Sequence, residues 1–181
     1  MNGEVLEFAD TNISDSLFPN TEKYIFIFSE GVRPQERNNF EIVGDLNLRP
    51  NDELLGKFKC IISTQVLAFT KNPFLVADSL ILMLSGGGKL IGTEPFMSKI
   101  SQYDDARWGD YFRFTAKGLD AIFANKSLRK ITKEICPLGN YRSTQMSFQG
   151  LVKEDRVPLE SYIDDIYTLV GYSIQVNEDL S

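Results

Sequence analysis

Four short apolar runs lie in the first third of the chain, separated by polar loops, and they predict four β-strands. The runs cover residues 5–9, 24–28, 40–43 and 58–63. The second run is a near-continuous series of aromatic and β-branched residues, which is typical of a strand buried on both faces. Because the runs are short and do not simply alternate apolar and polar residues, they predict a parallel sheet covered by helices.

A helical period replaces this pattern between residues 72 and 85. Apolar side chains recur at helical spacing, Asn72 is a suitable N-cap, and Pro73 occupies a first helical position. The glycine triplet at 86–88 predicts the end of this helix. Residues 89–93 then predict a fifth strand.

The second half of the chain predicts one more helix and two more strands. Thr115 is placed to cap a helix that continues through Phe123, and the predicted strands are 128–135 and 167–176. Strands interleaved with helices over the whole length indicate a single α/β domain, residues 1–181, with a mostly parallel sheet. The final two strands are the natural place for an antiparallel edge.

Composition excludes several kinds of chemistry. The 181 residues include two cysteines and no histidine. The absence of histidine excludes Ser-His-Asp and Cys-His catalysis, and it removes a common ligand of zinc and haem. Cys60 and Cys136 are too far apart in sequence for a metal-binding motif, and two cysteines do not make a disulfide framework. We therefore predict no metal site.

The net charge and the lengths of the apolar segments limit which partners and which location can be expected for the protein. The formal charge is −6 and no run of Lys or Arg occurs, so electrostatic binding to nucleic acid or anionic membranes is not favoured. Residues 1–10 lack the basic and apolar regions of a signal peptide. The longest apolar run, 74–84, is shorter than the roughly 20 residues that span a bilayer. We predict a cytoplasmic protein without a membrane span.

Polar side chains recur where the predicted strands end, and ligands of doubly wound sheets bind beyond those carboxyl ends. A carboxylate after the second strand commonly accepts hydrogen bonds from a ribose, and one after the third can accept them from an exocyclic amine. Equally, polar residues at strand ends can simply begin loops. The residues concerned are Glu7, Asp10, Glu30, Asp45, Thr64, Gln65 and Glu94.

Two other segments invite a chemical interpretation. The glycine triplet at 86–88 follows a helix and precedes a strand, unlike a phosphate-binding loop, so we interpret it as a helix-ending turn. Residues 104–115 contain the single tryptophan of the chain. This segment either lines a site, as loop-borne aromatic and charged residues often do, or acts as a structural plug. In the plug, Trp108 and Phe112 pack while Arg107 and Arg113 pair with neighbouring acids.

Four motifs in order along the chain carry a family resemblance. They are Gly-Asp-Leu-Asn at 44–47, Thr-Gln-Val-Leu at 64–67, the glycine triplet with a strand ending near Pro95, and Trp-Gly-Asp-Tyr-Phe-Arg-Phe-Thr at 108–115. In this order the chain resembles S-adenosylmethionine-dependent class I methyltransferases over nearly its whole length. It is most similar to a bacterial subgroup associated with glycosyltransferases and surface-polysaccharide synthesis. The resemblance implies a Rossmann-like sheet of seven strands, mostly parallel with an antiparallel last strand, and helices on both faces.

The resemblance also implies S-adenosylmethionine as cofactor, in a pocket at the strand ends. Glu7, Ala9 and Asp10 would lie near the methionine part of the cofactor. Many class I enzymes carry glycines in this loop, which let the backbone approach the cofactor closely. This chain has Ala9 instead, and its Cβ occupies room that a glycine leaves free.

The remaining implied contacts follow the later strands. Glu30 is the implied acceptor for the ribose hydroxyls, although it falls slightly late for that position. Asp45 and Leu46 are implied to meet the adenine ring. Thr64 and Gln65 are implied to face the transferred methyl group.

Methyl transfer suits a protein without histidine, because the leaving group is already activated and positioning supplies much of the rate. Asp110 and Tyr111 are the predicted general bases for a hydroxyl acceptor. Trp108 and Arg113 are predicted to bind that acceptor, a small molecule or a saccharide. Trp108 and Tyr111 would offer stacking surfaces to a sugar.

A non-catalytic function is the alternative. The chain would then be a methyltransferase-like binding or scaffold protein that has lost cofactor binding and acts through a protein partner or as a homo-oligomer. The missing glycines favour this alternative, and so does the short segment before the first strand, because it would leave one side of that strand uncovered and open to association. A nucleotide-sugar-binding protein is a third interpretation, which no phosphate loop supports.

Overall fold

The computed structural model describes residues 3–8, 11–38, 40–98, 100, 109–124, 129–138 and 169–177. Within these ranges the chain forms eight strands, three α-helices and two 3-10 helices. The strands are β1 (Glu4–Phe8), β2 (Lys23–Phe28), β3 (Gln35–Asn38), β4 (Glu41–Gly44), β5 (Phe58–Thr64), β6 (Leu84–Pro95), β7 (Ile131–Leu138) and β8 (Leu169–Val176). The α-helices are α1 (Asn12–Leu17), α2 (Pro73–Met83) and α3 (Ala116–Ile122), and the 3-10 helices are Asp52–Leu54 and Leu67–Phe69.

All eight strands lie in one mixed sheet, in the order β3-β4-β2-β1-β5-β6-β8-β7. The five strands from β4 to β6 in this order are parallel to one another. The last strand, β8, runs antiparallel to both β6 and β7. The structure therefore confirms a mostly parallel sheet with an antiparallel last strand, and the final two strands form the predicted antiparallel edge.

Strand β3 is an addition that the sequence did not predict. It pairs antiparallel with β4 at the edge of the sheet, which gives the described residues eight strands where the resemblance implied seven. Its sequence, Gln-Glu-Arg-Asn, has no apolar residue, and its side chains are mostly exposed. An edge strand of this kind carries no hydrophobic pattern, because neither of its faces is buried.

The main core lies between one face of the sheet and the helices α2 and α3. Alternate residues of the strands point toward these helices, as the pleat requires. From the strands this core takes Leu6, Tyr24, Phe26, Ile42, Ile61, Leu90, Tyr172 and Ile174, and from the helices it takes Val76, Ala77, Leu80, Leu119 and Ile122.

The opposite face carries α1 and is much less covered. Its buried cluster is small and consists of Val5, Cys60 and Ile62, with Phe18 packed against them. Helices therefore lie on both faces, as the resemblance implied. The helix α1 has only six residues, which is less than two turns, so it shields little of this face.

The prediction that β2 is buried on both faces is wrong. Tyr24 and Phe26 point into the main core and are buried, but Ile27 points to the other face and is 36 % exposed. The apolar run of β2 has two sources. One face of the strand is buried in the main core, and the other face, which is only partly covered, also carries β-branched and aromatic residues. Sequence pattern alone does not separate these two situations.

The helix α2 begins as predicted but ends earlier. The Asn72 side chain accepts a hydrogen bond from the Leu75 backbone N–H at 3.3 Å, and Pro73 occupies the first helical position. The helix ends at Met83, and the chain turns directly into β6. The prediction that the glycine triplet ends the helix is therefore wrong.

The glycine triplet instead forms a bulge inside β6. Phe58 pairs with Leu84 and Cys60 pairs with Lys89, so three extra residues of β6 are accommodated between these two pairs. Gly87 has a φ of 72°, a left-handed conformation that a glycine adopts without steric cost.

The second predicted helix is confirmed at its start. The Thr115 side chain accepts a hydrogen bond from the Gly118 backbone N–H at 2.9 Å, which satisfies one free N–H of the first turn of α3. The predicted sixth strand, 128–135, corresponds to β7, and the predicted last strand corresponds to β8. No described helix is long and apolar enough to cross a membrane.

Close packing around Gly92 joins β5, β6 and β8. A Cβ added at Gly92 would lie 2.2 Å from the Ser63 carbonyl oxygen and 2.5 Å from the Tyr172 hydroxyl. The first of these contacts is with backbone, which has little freedom to move away. Only glycine allows Tyr172 to lie across β6 at this point.

We expect Gly92→Ala to lower the free energy of unfolding by about 1–3 kcal/mol, because the added methyl group overpacks a closed site. Gly118→Ala is the matched control. Its Cβ would meet only the Thr115 hydroxyl, at 3.3 Å, and alanine is the better helix former, so this variant should be neutral or stabilised by up to about 1 kcal/mol. Urea unfolding of both variants checks the expectation, and equal stability losses would contradict it.

Candidate functional site

The five parallel strands all end at the same side of the sheet. Their last residues are Phe8 of β1, Phe28 of β2, Gly44 of β4, Thr64 of β5 and Pro95 of β6. We call this row of strand ends, with the residues that directly follow, the carboxyl edge. It is where ligands bind in open α/β sheets.

Glu7, next to the end of β1, holds the start of α1. Its side chain is buried, with 3 % of the residue exposed. One carboxylate oxygen accepts the Ile13 backbone N–H at 3.2 Å and the other accepts the Ser14 N–H at 2.8 Å. These amides belong to the first turn of a helix, where they have no partner within the helix itself. The carboxylate thus fixes where α1 begins relative to β1.

Asp45, directly after β4, organises the loop that follows. Its Oδ1 accepts the backbone N–H and the side-chain amide of Asn47, at 2.9 and 2.8 Å. Its Oδ2 accepts the Gly31 N–H at 3.2 Å, which ties this loop to the one after β2. Burial raises the pKa of Asp45, but the hydrogen bonds from Asn47 and Gly31 outweigh it, and the net pKa lies below its ordinary value.

The same network continues to α2. The Asn47 side-chain oxygen accepts the Asn72 backbone N–H at 3.0 Å. Asn72 in turn caps α2, so the loop after β4 and the N-terminus of α2 are held as one unit. Movement of Asp45 would therefore be transmitted to this helix.

Glu94, near the end of β6, holds the turn that follows β5. The residue is fully buried, and its two carboxylate oxygens each accept one backbone N–H at 3.0 Å, from Leu67 and from Ala68. The Tyr172 hydroxyl lies 3.5 Å from Oε1. Burial raises the pKa of Glu94 to about 8, although the hydrogen bonds oppose this shift.

Thr64 and Gln65 stand at the top of β5, beside this turn. Thr64 is exposed, and Gln65 is partly exposed. Gln65 has a φ of 55°, and it is the only non-glycine residue with positive φ in the described ranges. Its backbone N–H donates to the Thr93 carbonyl oxygen at 2.7 Å, which anchors the strained position to β6.

The segment after Gly109 lies against the same turn. The backbone N–H groups of Tyr111 and Phe112 both donate to the Ala68 carbonyl oxygen, at 2.9 and 3.2 Å. The two side chains are 46 % and 36 % exposed, and their ring centroids are 6.4 Å apart. They present an aromatic surface at the carboxyl edge.

Asp110 and Arg113 form an ion pair within this segment. The Arg113 guanidinium donates to both oxygens of the Asp110 carboxylate, at 2.8 Å for the Nη2–Oδ2 bond. The Asp110 side chain is only 1 % exposed. The pairing of Arg113 with an acid agrees with the plug alternative, whereas Phe112, which that alternative expected to pack, is 36 % exposed.

Glu30 and Lys71 form a second ion pair, at the rim of the carboxyl edge. Their charged groups are 2.8 Å apart and both side chains are largely exposed. The hydrogen bond that Lys71 donates to Glu30 raises the pKa of Lys71, with smaller contributions from Tyr111 and Asp45. Lys71 therefore contacts one predicted site residue, Glu30, and interacts electrostatically with Tyr111 and Asp45.

The other predicted site residues are divided by what the structure describes. Ala9, Asp10 and Trp108 lie outside the described residues. Leu46 is buried beside Asp45, and no hydrogen bond from its backbone N–H is found within the described ranges. The same ranges contain no group of three or more His, Cys, Asp or Glu side chains that could hold a metal ion.

Three residues of the edge were missed or left without a function by sequence reasoning. Asn47 follows Asp45 by two positions, which is the spacing of a local side-chain turn and was a usable signal. Glu94 was noted as a strand-end acid but assigned no role. Its partner Tyr172 is 78 positions away in sequence, and no local spacing predicts that contact.

Comparison with known proteins shows the fold. No protein-family model matches the sequence, and no match is found among curated proteins. Among solved structures, a SAM-dependent methyltransferase from Thermotoga maritima superposes with a TM-score of 0.57 at 12 % identity, covering 97 % of this chain and 83 % of that one. A methyltransferase from Mesorhizobium loti gives 0.57 at 12 % identity, covering 96 % and 90 %.

A chain of the Haloferax volcanii complex between the Trm112 methyltransferase activator and a methyltransferase superposes with a TM-score of 0.56 at 10 % identity, covering 98 % of this chain and 83 % of that one. Similarity at this level of identity concerns the fold. The protein therefore has the Rossmann-like α/β fold found in S-adenosylmethionine-dependent class I methyltransferases.

Proposed function

We propose that the protein binds S-adenosylmethionine at the carboxyl edge and transfers its methyl group to an acceptor. The observation that carries this proposal is the pair formed by Asp45 and Leu46. The Asp45 carboxylate accepts three hydrogen bonds, which leaves one of its roughly four acceptor positions, on Oδ2. The adjacent Leu46 N–H is a donor without a partner in the described ranges. An acceptor beside a donor matches the exocyclic amine and neighbouring ring nitrogen of adenine.

Two further contacts are assigned by position along the edge. We assign to Glu30 the hydrogen bonds from the ribose hydroxyls, and its exposure beside Lys71 at the rim of the edge supports this assignment. We assign to Thr64 and Gln65 the side of the site that faces the methyl group, because both are at least partly exposed at the end of β5. Glu7 supports the site through the backbone of α1, because both of its oxygens already hold amides there.

The bound cofactor supplies a methyl group on a sulfonium centre, which needs no metal or imidazole to leave. The chain has to orient the acceptor for an in-line approach, and orientation of this kind is worth up to about 7–11 kcal/mol. Of the two predicted bases, Tyr111 is the more accessible, since the Asp110 carboxylate is buried against Arg113. We assign the base role to Tyr111, and the positioning of the aromatic segment to the ion pair.

The acceptor is proposed to be a small molecule or a saccharide, in keeping with a role in surface-polysaccharide synthesis. Tyr111 and Phe112 support this assignment, because partly exposed aromatic rings stack well on the apolar face of a sugar ring. The neighbours named above are similar in fold, and they do not identify the acceptor.

Calorimetric titration with S-adenosylhomocysteine tests the cofactor assignment. We expect the wild-type protein to bind, and Asp45→Ala to weaken binding by about tenfold or more, since a buried hydrogen-bond partner is lost. Asp52→Ala is the matched control, because Asp52 is exposed in a 3-10 helix away from the network, and it should bind like wild type. Absence of binding by the wild type at millimolar ligand would overturn the proposal.

A partner-binding function is the second candidate, and the half-covered α1 face favours it. Ile27 and Ile91 on this face are 36 % and 38 % exposed, and Ile13 and Leu17 of α1 are 39 % and 59 % exposed. Apolar side chains grouped on one side of a protein mark association surfaces. We propose a second copy of this chain as the partner.

Light scattering tests this second candidate. We expect a species of twice 20.5 kDa, and we expect Ile27→Lys combined with Ile91→Lys to raise the dissociation constant about tenfold or more, because a charge would be buried in the interface. Leu75→Lys is the control, since Leu75 is 47 % exposed on α2, on the other side of the sheet. A wild-type protein that stays monomeric at every concentration would sink the idea.

A further inference from the structure

The turn between β5 and α2 is built around one strained residue. Gln65 adopts a left-handed backbone conformation directly after β5, and its N–H is anchored to the Thr93 carbonyl oxygen. For a residue with a Cβ this conformation is unfavourable, so it persists only where its surroundings enforce it. The anchor to β6 is one restraint, and a second lies on the other side of Gln65.

Glu94 supplies the second restraint. Its carboxylate accepts the backbone N–H groups of Leu67 and Ala68, two and three residues after Gln65. Gln65 is thus held between a hydrogen bond to Thr93 and two hydrogen bonds to the next residue of the same strand, Glu94. The 3-10 helix that starts at Leu67 begins where these amides are held.

Among the described residues, Glu94 has hydrogen-bond donors beside it but forms no ion pair with a Lys or Arg side chain. Tyr172 is the titratable group that faces it, and the Tyr172 hydroxyl also donates to the Ser63 carbonyl oxygen at 3.2 Å. None of the ion pairs among the described residues includes Glu94. Ionising a buried carboxyl group that has no cation beside it is costly, and the hydrogen bonds from the turn oppose this cost.

We propose that Glu94 is the positioning residue of the carboxyl edge: its carboxylate fixes the turn that presents Thr64 and Gln65, and it does so through its charge. This proposal rests on the proposed function in one respect only, the identity of the ligand that binds beside the turn. Glu94 touches no part of the site where a ligand would lie, because it is fully buried beneath the turn.

The charge dependence follows from the hydrogen bonds. A carboxylate accepts both amides, whereas a protonated carboxyl group exchanges one acceptor for a donor and faces one amide with an O–H. The pKa of Glu94 is raised to about 8. Above this pH the carboxylate is ionised and accepts both amides, so the turn is held most tightly there. Below it, one of the two hydrogen bonds is weakened.

NMR titration of the backbone amides decides whether Glu94 holds the turn. We expect the Leu67 and Ala68 amide shifts in the wild type to titrate together with a midpoint near pH 8. This step should be absent in Glu94→Gln. It should be unchanged in the control variant Glu134→Gln, because Glu134 is an exposed residue of β7. A wild type without the step, or a Glu94→Gln variant that keeps it, would overturn the proposal.

Tyr172→Phe provides a second variant in case Glu94→Gln does not fold. The hydrogen bond from the Tyr172 hydroxyl lowers the pKa of Glu94, so removing it should move the midpoint of the Leu67 and Ala68 titration to higher pH. An unchanged midpoint would show that another group titrates. Stability gives an independent readout: the folded state binds this proton more tightly, so the free energy of unfolding should fall as pH rises from about 4.5 to about 8.

Ligand binding separates this proposal from the proposed function. At about pH 9 we expect Glu94→Gln to bind S-adenosylhomocysteine about tenfold more weakly than wild type, with a smaller difference at about pH 6.5, where Glu94 itself is neutral. Equal affinities at both pH values would overturn the positioning role. If the wild type binds no ligand but shows the amide titration, the proposed function is refuted. The conclusion that Glu94 fixes the turn would still stand in that case.

Discussion

Two helical segments that follow parallel strands, α1 and the 3-10 helix after β5, begin with backbone N–H groups that have no partner inside the segment, and buried carboxyl groups of the sheet accept them. Glu7 holds the first turn of α1, and Glu94 holds the 3-10 helix after β5. Asp45 does the same for the loops after β2 and β4. Because a buried amide without a partner is costly, these three acids determine where the chain goes once it leaves the sheet.

The same arrangement shifts the pKa values of Asp45 and Glu94 in opposite directions. Asp45 has side-chain and backbone donors together and lies near the surface, so its pKa is lowered. Glu94 is hydrogen-bonded by backbone N–H groups of the turn but has no contact with solvent, so burial dominates and its pKa is raised. The balance between desolvation and hydrogen bonding thus decides which acid remains charged at neutral pH.

Sequence reasoning predicted the parts of the structure that depend on local pattern. The apolar runs of β1, β2, β4 and β5 predicted these parallel strands, and the capping residue Asn72 predicted the start of α2. The bulge of the glycine triplet was missed because it depends on the pairing of β6 with β5. The short helix α1 was missed because its start is fixed by Glu7 rather than by its own polar sequence. Of the site, the strand-end acids were located, whereas their partners in space were not.

The reversed last strand completes the carboxyl edge. Because β8 runs antiparallel to β6, Tyr172 from its middle lies opposite Gly92, near the carboxyl end of β6. There its hydroxyl reaches the Ser63 carbonyl oxygen and Glu94, but only because residue 92 has no Cβ. A parallel strand in the same place would follow a different hydrogen-bond pattern with β6. The topology, a glycine and a buried acid therefore act together, and the position of Gln65 at the edge is the result of all three.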